Sequence, residues 1–161
     1  MKLSTKGRYA VMAMVDVAAQ STDGAPVSLS EISERQEISV SYLEQLFCKL
    51  RKNGLVESTR GPRGGYVITR RLSDTRISDI ILAVDEPISV TRCTKGSPVG
   101  CTSDKSRCLT HDLWEELTNH IYMYLSSVSL QDILEKRVLG SGGAIFRRGQ
   151  LDPKNIQALM S

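Results

Sequence analysis

Three cysteines and one histidine stand close together in the second half of the chain. Their spacing is C-x7-C-x6-C-x2-H, and the residues are Cys93, Cys101, Cys108 and His111. Three thiolates and one imidazole supply four ligands, the number that a structural zinc ion takes. The same donors can hold an iron-sulfur cluster, in which histidine can replace some of the usual cysteine ligands. The four residues are therefore a predicted metal centre.

The spacing leaves more than one chemistry open. Zinc sites usually separate paired ligands by about two to four residues, which only Cys108 and His111 satisfy, and the wide loops around Cys93 and Cys101 suit a larger cluster. Two of the cysteines could instead form a thiol-disulfide switch. A nucleophile-base pair of Cys108 and His111 is disfavoured because no oxyanion-hole or substrate motif accompanies it. The fourth cysteine, Cys48, lies far from the others, and we interpret it as incidental to this site.

The composition sets the class of protein. With 161 residues, 40% of them hydrophobic and 24% charged, the chain is the size of about one ordinary globular domain and is not expected to be disordered. No apolar run reaches the roughly 18 residues that a membrane span needs, and the first segment carries Asp16 and lacks a secretory cleavage site. We expect a cytoplasmic protein, where four cysteines favour metal or redox chemistry over a disulfide scaffold.

Positive charge is concentrated in residues 48–71. This stretch has seven basic residues and one acidic residue. Such a density predicts a phosphate-binding surface, although charge alone also fits a solvated face. The basic residues are Lys49, Arg51, Lys52, Arg60, Arg63, Arg70 and Arg71, and the acidic one is Glu57.

Two short helices are predicted one after the other, and the second runs into this basic stretch. A capping box at Ser28 and Glu31 opens the first, over residues 29–36. A second box at Ser41 and Glu44 opens the next, with apolar residues at helical spacing on one side. The buried stripe is Leu43, Leu46, Phe47 and Leu50. The opposite, polar face presents Ser41, Tyr42, Glu44, Gln45, Cys48, Lys49 and Lys52.

Two short strands, LVESTR and YVITR, follow the second helix. The tip that joins them is Gly61, Pro62, Arg63, Gly64 and Gly65. Helix, turn, helix and basic hairpin is the order of a winged helix-turn-helix, in which the second helix can enter a DNA major groove while the hairpin reaches the backbone or the minor groove. The predicted fold is mainly α with a small β-hairpin wing.

The rest of the chain predicts a short helix over 76–85, the cysteine loop and a long helix from about residue 109. The long helix is apolar on more than one face, which favours a dimerisation helix, with packing inside one chain as the alternative. We divide the chain into a DNA-binding domain at 1–71, a cluster loop with dimerisation helices at 72–137 and a tail at 138–161.

Several segments together carry a family resemblance: LSTKGRYAVMAMVDVA, ISERQEISVSYLEQLFCKLRKNGLVESTRGPRGGY, AVDE, TRC and CLTHDLWEEL. Over residues 1 to about 137 the chain resembles the IscR family of bacterial iron-sulfur cluster regulators. The resemblance implies a homodimeric transcription factor, repressor or activator and not an enzyme, that holds a 2Fe-2S cluster through Cys93, Cys101, Cys108 and His111. It would control cluster-biogenesis genes and receive its cluster from assembly proteins. A zinc-stabilised or thiol-redox-regulated repressor without a cluster remains the alternative.

The resemblance also implies contacts with double-stranded DNA. On the second helix they are Ser39, Ser41, Tyr42, Glu44 and Gln45, joined by Lys49 from its polar face, and on the wing they are Arg60, Gly61, Pro62, Arg63, Gly64 and Gly65. Glu44 can accept from cytosine N4 but repels phosphate, so it would select sites by penalising the wrong ones. In the family, a glutamate here is tied to a change of site preference between the cluster-bound and cluster-free forms. The longer cysteine loops, Cys48 and the tail after 137 depart from the family pattern.

Overall fold

A computed structural model describes residues 4–89, 91, 101–102 and 106–138. Within these residues the fold is helical with one antiparallel hairpin, as predicted. The helices are α1 (Thr5–Gln20), α2 (Leu29–Gln36), α3 (Val40–Lys52), α4 (Ile77–Ala83), α5 (His111–Ser127) and α6 (Leu130–Leu134), with a 3-10 turn at Thr22–Gly24. The strands are β1 (Val56–Thr59) and β2 (Gly65–Ile68). None of the helices described here has the length and apolar character needed to span a bilayer.

One hydrophobic core joins the helix-turn-helix to the later helices. Met14 of α1, Phe47 of α3, Ile80 of α4 and Leu130 of α6 are all fully buried in it. Because apolar burial is the main stabilising term of folding, these helices support one another. The core therefore crosses the predicted boundary between 1–71 and 72–137, and that division stays a prediction.

Of the two capping boxes predicted at helix starts, one is present and the other is not. At α2 the predicted capping box is present, with Ser28 Oγ accepting from Glu31 N at 3.3 Å and the Glu31 carboxylate accepting from Ser28 N at 2.9 Å. The box predicted at Ser41 and Glu44 is wrong. Ser39 is the N-cap of α3, because the buried Ile38 places the turn just before it and Ser41 is already inside the helix.

A buried ion pair fastens α1 to the end of α2. Both carboxylate oxygens of Asp16, whose side chain is 3% exposed, accept from Arg35 Nε at 3.1 Å, and Arg35 Nη2 donates at 2.7 Å. Gln36 Nε2 donates to the same carboxylate at 2.7 Å. A buried carboxylate with this many donors is well compensated for its loss of water. The contact fixes the helix that supports α3.

The wing is anchored at its base on both sides. In the hairpin Val56 pairs with Ile68 and Thr59 with Gly65, and β2 also bridges to the chain before α2, with Val27 N donating to Tyr66 O at 3.0 Å and Tyr66 N donating to Val27 O at 2.8 Å. The rings of Phe47 and Tyr66 pack with centroids 4.7 Å apart. The hairpin is thus tied to α3 and to the segment before α2.

The C-terminal end of the long helix α5 packs against the core. Leu125 in its last turn and Val128 just beyond the helix are partly buried against core residues. Leu113, near the start of the helix, is 60% exposed. Large apolar side chains are also exposed further along the helix, namely Tyr122, Met123 and Tyr124. Most of the 138–161 tail lies outside the described residues.

Candidate metal centre and nucleic-acid interface

Three of the four predicted ligands converge at the start of α5. Single ligand atoms of Cys101, Cys108 and His111 lie within 4.8 Å of one another, and Cys101 Sγ lies 2.9 Å from His111 Nδ1. His111 is the first residue of α5, and its backbone N donates to Cys108 O at 3.0 Å. The fourth predicted ligand, Cys93, lies outside the described residues. The trio of Cys101, Cys108 and His111, which the spacing grouped together, is thus also close together in space.

The trio has the properties of a metal centre. The His111 side chain is 6% exposed, and its loop partner Cys101 is held by its own backbone N, which donates to Ser106 O at 2.9 Å. Two thiols and an imidazole are the donor types that zinc and iron-sulfur clusters take. A buried imidazole whose Nδ1 faces a thiol therefore fits such a group.

Sequence reasoning missed a carboxylate beside the trio. Glu115 Oε2 lies 3.3 Å from His111 Nε2, and His111, Asp112 and Glu115 form a second group of ligand-type atoms within 4.8 Å of one another. The signal was available, because residues four apart share a helix face. The imidazole consequently has a thiol at one nitrogen and a carboxylate at the other.

The predicted DNA-reading face of α3 is open at its N-terminal end. Ser39, Ser41, Glu44 and Gln45 are exposed. Tyr42 differs from them, because it is half-buried against the core and its ring meets that of Tyr9 edge-on, at 5.9 Å. The four exposed polar residues form a continuous surface at the start of the helix.

Lys49, at the other end of that face, forms a surface ion pair with an acidic residue of its own chain. Its Nζ donates to Asp85 Oδ2 at 2.7 Å, and Asn53 Nδ2 donates to Ala83 O at 3.1 Å. The hydrogen bond between the two side chains lowers the pKa of the Asp85 carboxyl and raises the pKa of the Lys49 ammonium group. The C-terminal end of α3 is therefore tied to the turn that follows α4.

The wing tip exposes its cations and uses its glycines internally. Arg60, Gly61, Pro62 and Arg63 are exposed, and among the described residues neither arginine has an ion pair. Gly61 has φ +119°, which favours glycine. Gly64 and Gly65 are half-buried, and a Cβ at Gly64 would overlap Thr59 O while one at Gly65 would overlap the Val27 carbonyl. These two glycines close the hairpin tip and seat it on its neighbour.

Comparison with known proteins places this arrangement in a family. The chain is 52% identical over 137 residues to the HTH-type transcriptional regulator IscR of Photorhabdus laumondii, covering 85% of this chain and 81% of that protein. It is equally 52% identical over 141 residues to IscR of Yersinia pestis, covering 84% of each.

Solved structures agree with the sequence relatives. IscR of T. potens superposes with a TM-score of 0.67 at 39% identity, over 85% of this chain and 88% of that one. CymR, the global cysteine regulator of B. subtilis, superposes with a TM-score of 0.70 at 32% identity, over 84% of this chain and 98% of its own. These relatives show that the chain has the mainly helical winged fold. They also show that it is a regulator of transcription rather than an enzyme. The pattern of Rrf2, described as an iron-dependent transcriptional regulator, matches residues 3–136, so the chain belongs to the Rrf2 family.

Proposed function

We propose that this protein is a cytoplasmic, homodimeric regulator that binds operator DNA and senses iron-sulfur cluster status. A 2Fe-2S cluster would be held by Cys93, Cys101, Cys108 and His111, supplied by cluster-assembly proteins, and the genes controlled, by repression or activation, would be those of cluster biogenesis. The observation that carries the proposal is the convergence of Cys101, Cys108 and His111 beside a helix start. The name IscR borne by its relatives supports the same conclusion.

DNA reading is proposed for two surfaces. Ser39, Ser41, Glu44 and Gln45 present short polar side chains and a carboxylate at the start of α3, where a recognition helix contacts base edges. Arg60 and Arg63 of the wing are suited to the phosphate backbone or the minor groove. Tyr42, Lys49, Gly64 and Gly65 would act mainly by supporting these surfaces, given their internal contacts.

A route from the metal centre to α3 is supported by contacts around the turn after α4. Lys49 of α3 binds Asp85, and Asn53, the C-cap of α3, binds the Ala83 carbonyl. Ser4 N donates to Glu86 Oε1 at 3.2 Å. The chain then runs from Glu86 towards Cys93. Gain or loss of a cluster bound at Cys93 would change the charge at that point of the chain. The turn at 84–86 is where such a change would reach the recognition helix.

The proposed dimer would use α5. A surface with Leu113, Met123 and two tyrosines exposed along one helix is the type of apolar patch that marks an interface. A second copy of the chain would cover it, as predicted for a helix that is apolar on more than one face.

The metal content of anaerobically purified protein tests the proposal. We expect visible absorption, and about two iron atoms and two sulfides per chain, as a 2Fe-2S cluster requires. Cys108→Ser should lose them, whereas Cys48→Ser should keep them. One zinc per chain with no sulfide would overturn the cluster and leave the zinc-stabilised or thiol-regulated repressor.

Arg60→Ala should weaken binding to every DNA site and lower the slope of log affinity against log salt by about 1, since each phosphate contact releases counterions. The measurement is a salt titration by fluorescence anisotropy. Arg71→Ala is the matched control, because Arg71 is already paired with Asp74 at 2.8 Å and lies beyond the wing. An unchanged slope for Arg60→Ala would contradict the assigned contact.

Glu44→Ala should relax the discrimination between operators instead of lowering affinity throughout. An acceptor that satisfies cytosine and penalises other bases is worth about 1–3 kcal/mol of discrimination. The ratio of dissociation constants for operators that differ at single positions is the measurement. Glu57→Ala removes the same charge from exposed β1 and should leave the ratio unchanged. Equal loss of affinity at all operators would argue against a selective role.

A further inference from the structure

We propose that Glu115 is a positioning residue of the metal centre: it holds the His111 ring so that Nδ1, and not Nε2, faces the cysteine thiols. The inference rests on the proposed function, in which His111 is a ligand. It concerns a residue outside the predicted ligand set.

The two nitrogens of His111 have opposite surroundings. Nδ1 lies 2.9 Å from Cys101 Sγ, on the side of the thiols, and Nε2 lies 3.3 Å from Glu115 Oε2. Nε2 is fully buried, and within the part of the chain that the structure describes it makes no aligned hydrogen bond. A buried polar nitrogen needs a partner, and Glu115 is the carboxylate that the fold sets against it.

The chemistry of the two groups then decides the tautomer. An ionised carboxylate only accepts hydrogen bonds, so the ring nitrogen that faces it should carry the hydrogen. Nδ1 is then left with its lone pair directed to the thiol side, which is the form that binds a metal. A carboxylate behind a ligating histidine also raises the basicity of the ligand and fixes the ring plane.

Position on the helix singles out Glu115 from its acidic neighbours. His111 and Glu115 are four residues apart and share one face of α5, and Glu115 is only 20% exposed. Asp112, the other carboxylate near the ring, is 91% exposed and lies 3.6 Å from Arg107. Glu116 points elsewhere, to His120 Nδ1 at 3.4 Å. Only Glu115 combines burial with contact to Nε2.

The Glu116–His120 pair supplies a matched control. It is also a carboxylate and an imidazole four residues apart on α5, but both side chains are largely exposed and distant in sequence from the cysteines. The experiment reconstitutes the parent protein and three variants anaerobically with iron and sulfide and then titrates each with a ferrous chelator. The variants are Glu115→Ala, Glu115→Gln and Glu116→Ala. Circular dichroism checks that each variant keeps its helices.

We expect Glu115→Ala to lose its iron at about 10- to 100-fold lower chelator concentration than the parent protein, the usual effect of removing such a partner. Glu115→Gln keeps an amide oxygen as acceptor, so it should lose iron at a chelator concentration between those of Glu115→Ala and the parent protein. Glu116→Ala should match the parent protein. A spectroscopic reading separates positioning from simple stability: nitrogen hyperfine couplings of the reduced cluster should be preserved in Glu115→Gln and altered or lost in Glu115→Ala.

Each result has one meaning. Iron retention and hyperfine couplings in Glu115→Ala equal to those of the parent protein would overturn the role of Glu115 while leaving the cluster proposal intact. Equal losses in Glu115→Ala and Glu116→Ala would assign the effect to the helix and would also overturn it. A parent protein that takes up neither iron nor sulfide would instead overturn the proposed function, and this inference with it.

Discussion

Replacing Gly65 by alanine is expected to detach the wing and abolish DNA binding at every site. A Cβ at this position would overlap the Val27 carbonyl and lie 2.9 Å from Ser28 N. These are backbone atoms held by the two hydrogen bonds between Val27 and Tyr66, so no rotamer change relieves the overlap. We expect a loss of about 3 kcal/mol, the upper end of the usual cost of overpacking, measured by thermal unfolding.

Gly24→Ala is the control for this substitution. Gly24 has φ +78°, but the space that a Cβ would enter there is open, so alanine should cost only the left-handed backbone term of about 1 kcal/mol. DNA binding should survive in Gly24→Ala. A Gly65→Ala protein with unchanged stability and affinity would show that the hairpin does not depend on its seat against Val27.

Asp16→Ala is expected to destabilise the protein by about 3 kcal/mol. Breaking a buried pair costs about 3–5 kcal/mol because the remaining charge loses its partner, and the lower value applies since 35% of the Arg35 side chain still reaches water. Gln36 loses an acceptor at the same time. The midpoint of urea unfolding, followed by circular dichroism, is the measurement.

The exposed pair of Arg71 and Asp74 serves for comparison. The distance from Arg71 Nε to Asp74 Oδ2 is 2.8 Å, nearly as short as the contact of the buried pair. The hydrogen bond from Arg71 also lowers the pKa of the Asp74 carboxyl. Surface pairs are nevertheless worth about 1 kcal/mol or less, so Asp74→Ala should shift the midpoint little. Similar shifts for the two substitutions would refute the view that Asp16 is the anchor of the helix-turn-helix.

Helix positions could be predicted where a local signal sufficed. Ser28 and Glu31 form the capping box expected of them, and Leu43, Leu46, Phe47 and Leu50 are buried as their spacing indicates. The same signal failed at Ser41, because the burial of Ile38 decided where α3 begins. A capping pattern specifies which residues can start a helix, and packing of the preceding chain selects among them.

The candidate site shows a similar division. Cys101, Cys108 and His111 could be chosen from their spacing, and they lie together. Lys49 was chosen from the charge of a helix face, yet its partner Asp85 is 36 residues away and could not be inferred from that pattern. Glu115 lay within reach of a helical-spacing argument, but its burial against Nε2 depends on how α5 meets the loop that holds Cys101.

By itself the sequence determined the helices and the hairpin, because these depend on residues close together in the chain. It also predicted the residue types of the metal ligands from their spacing along one segment. Tertiary structure alone decided that Asp16 binds Arg35, that Gly65 rests on Val27 and that Lys49 faces Asp85. Each of these contacts joins segments far apart in the chain. Their geometry exists only once the shared core has placed the helices, and so no local pattern encodes it.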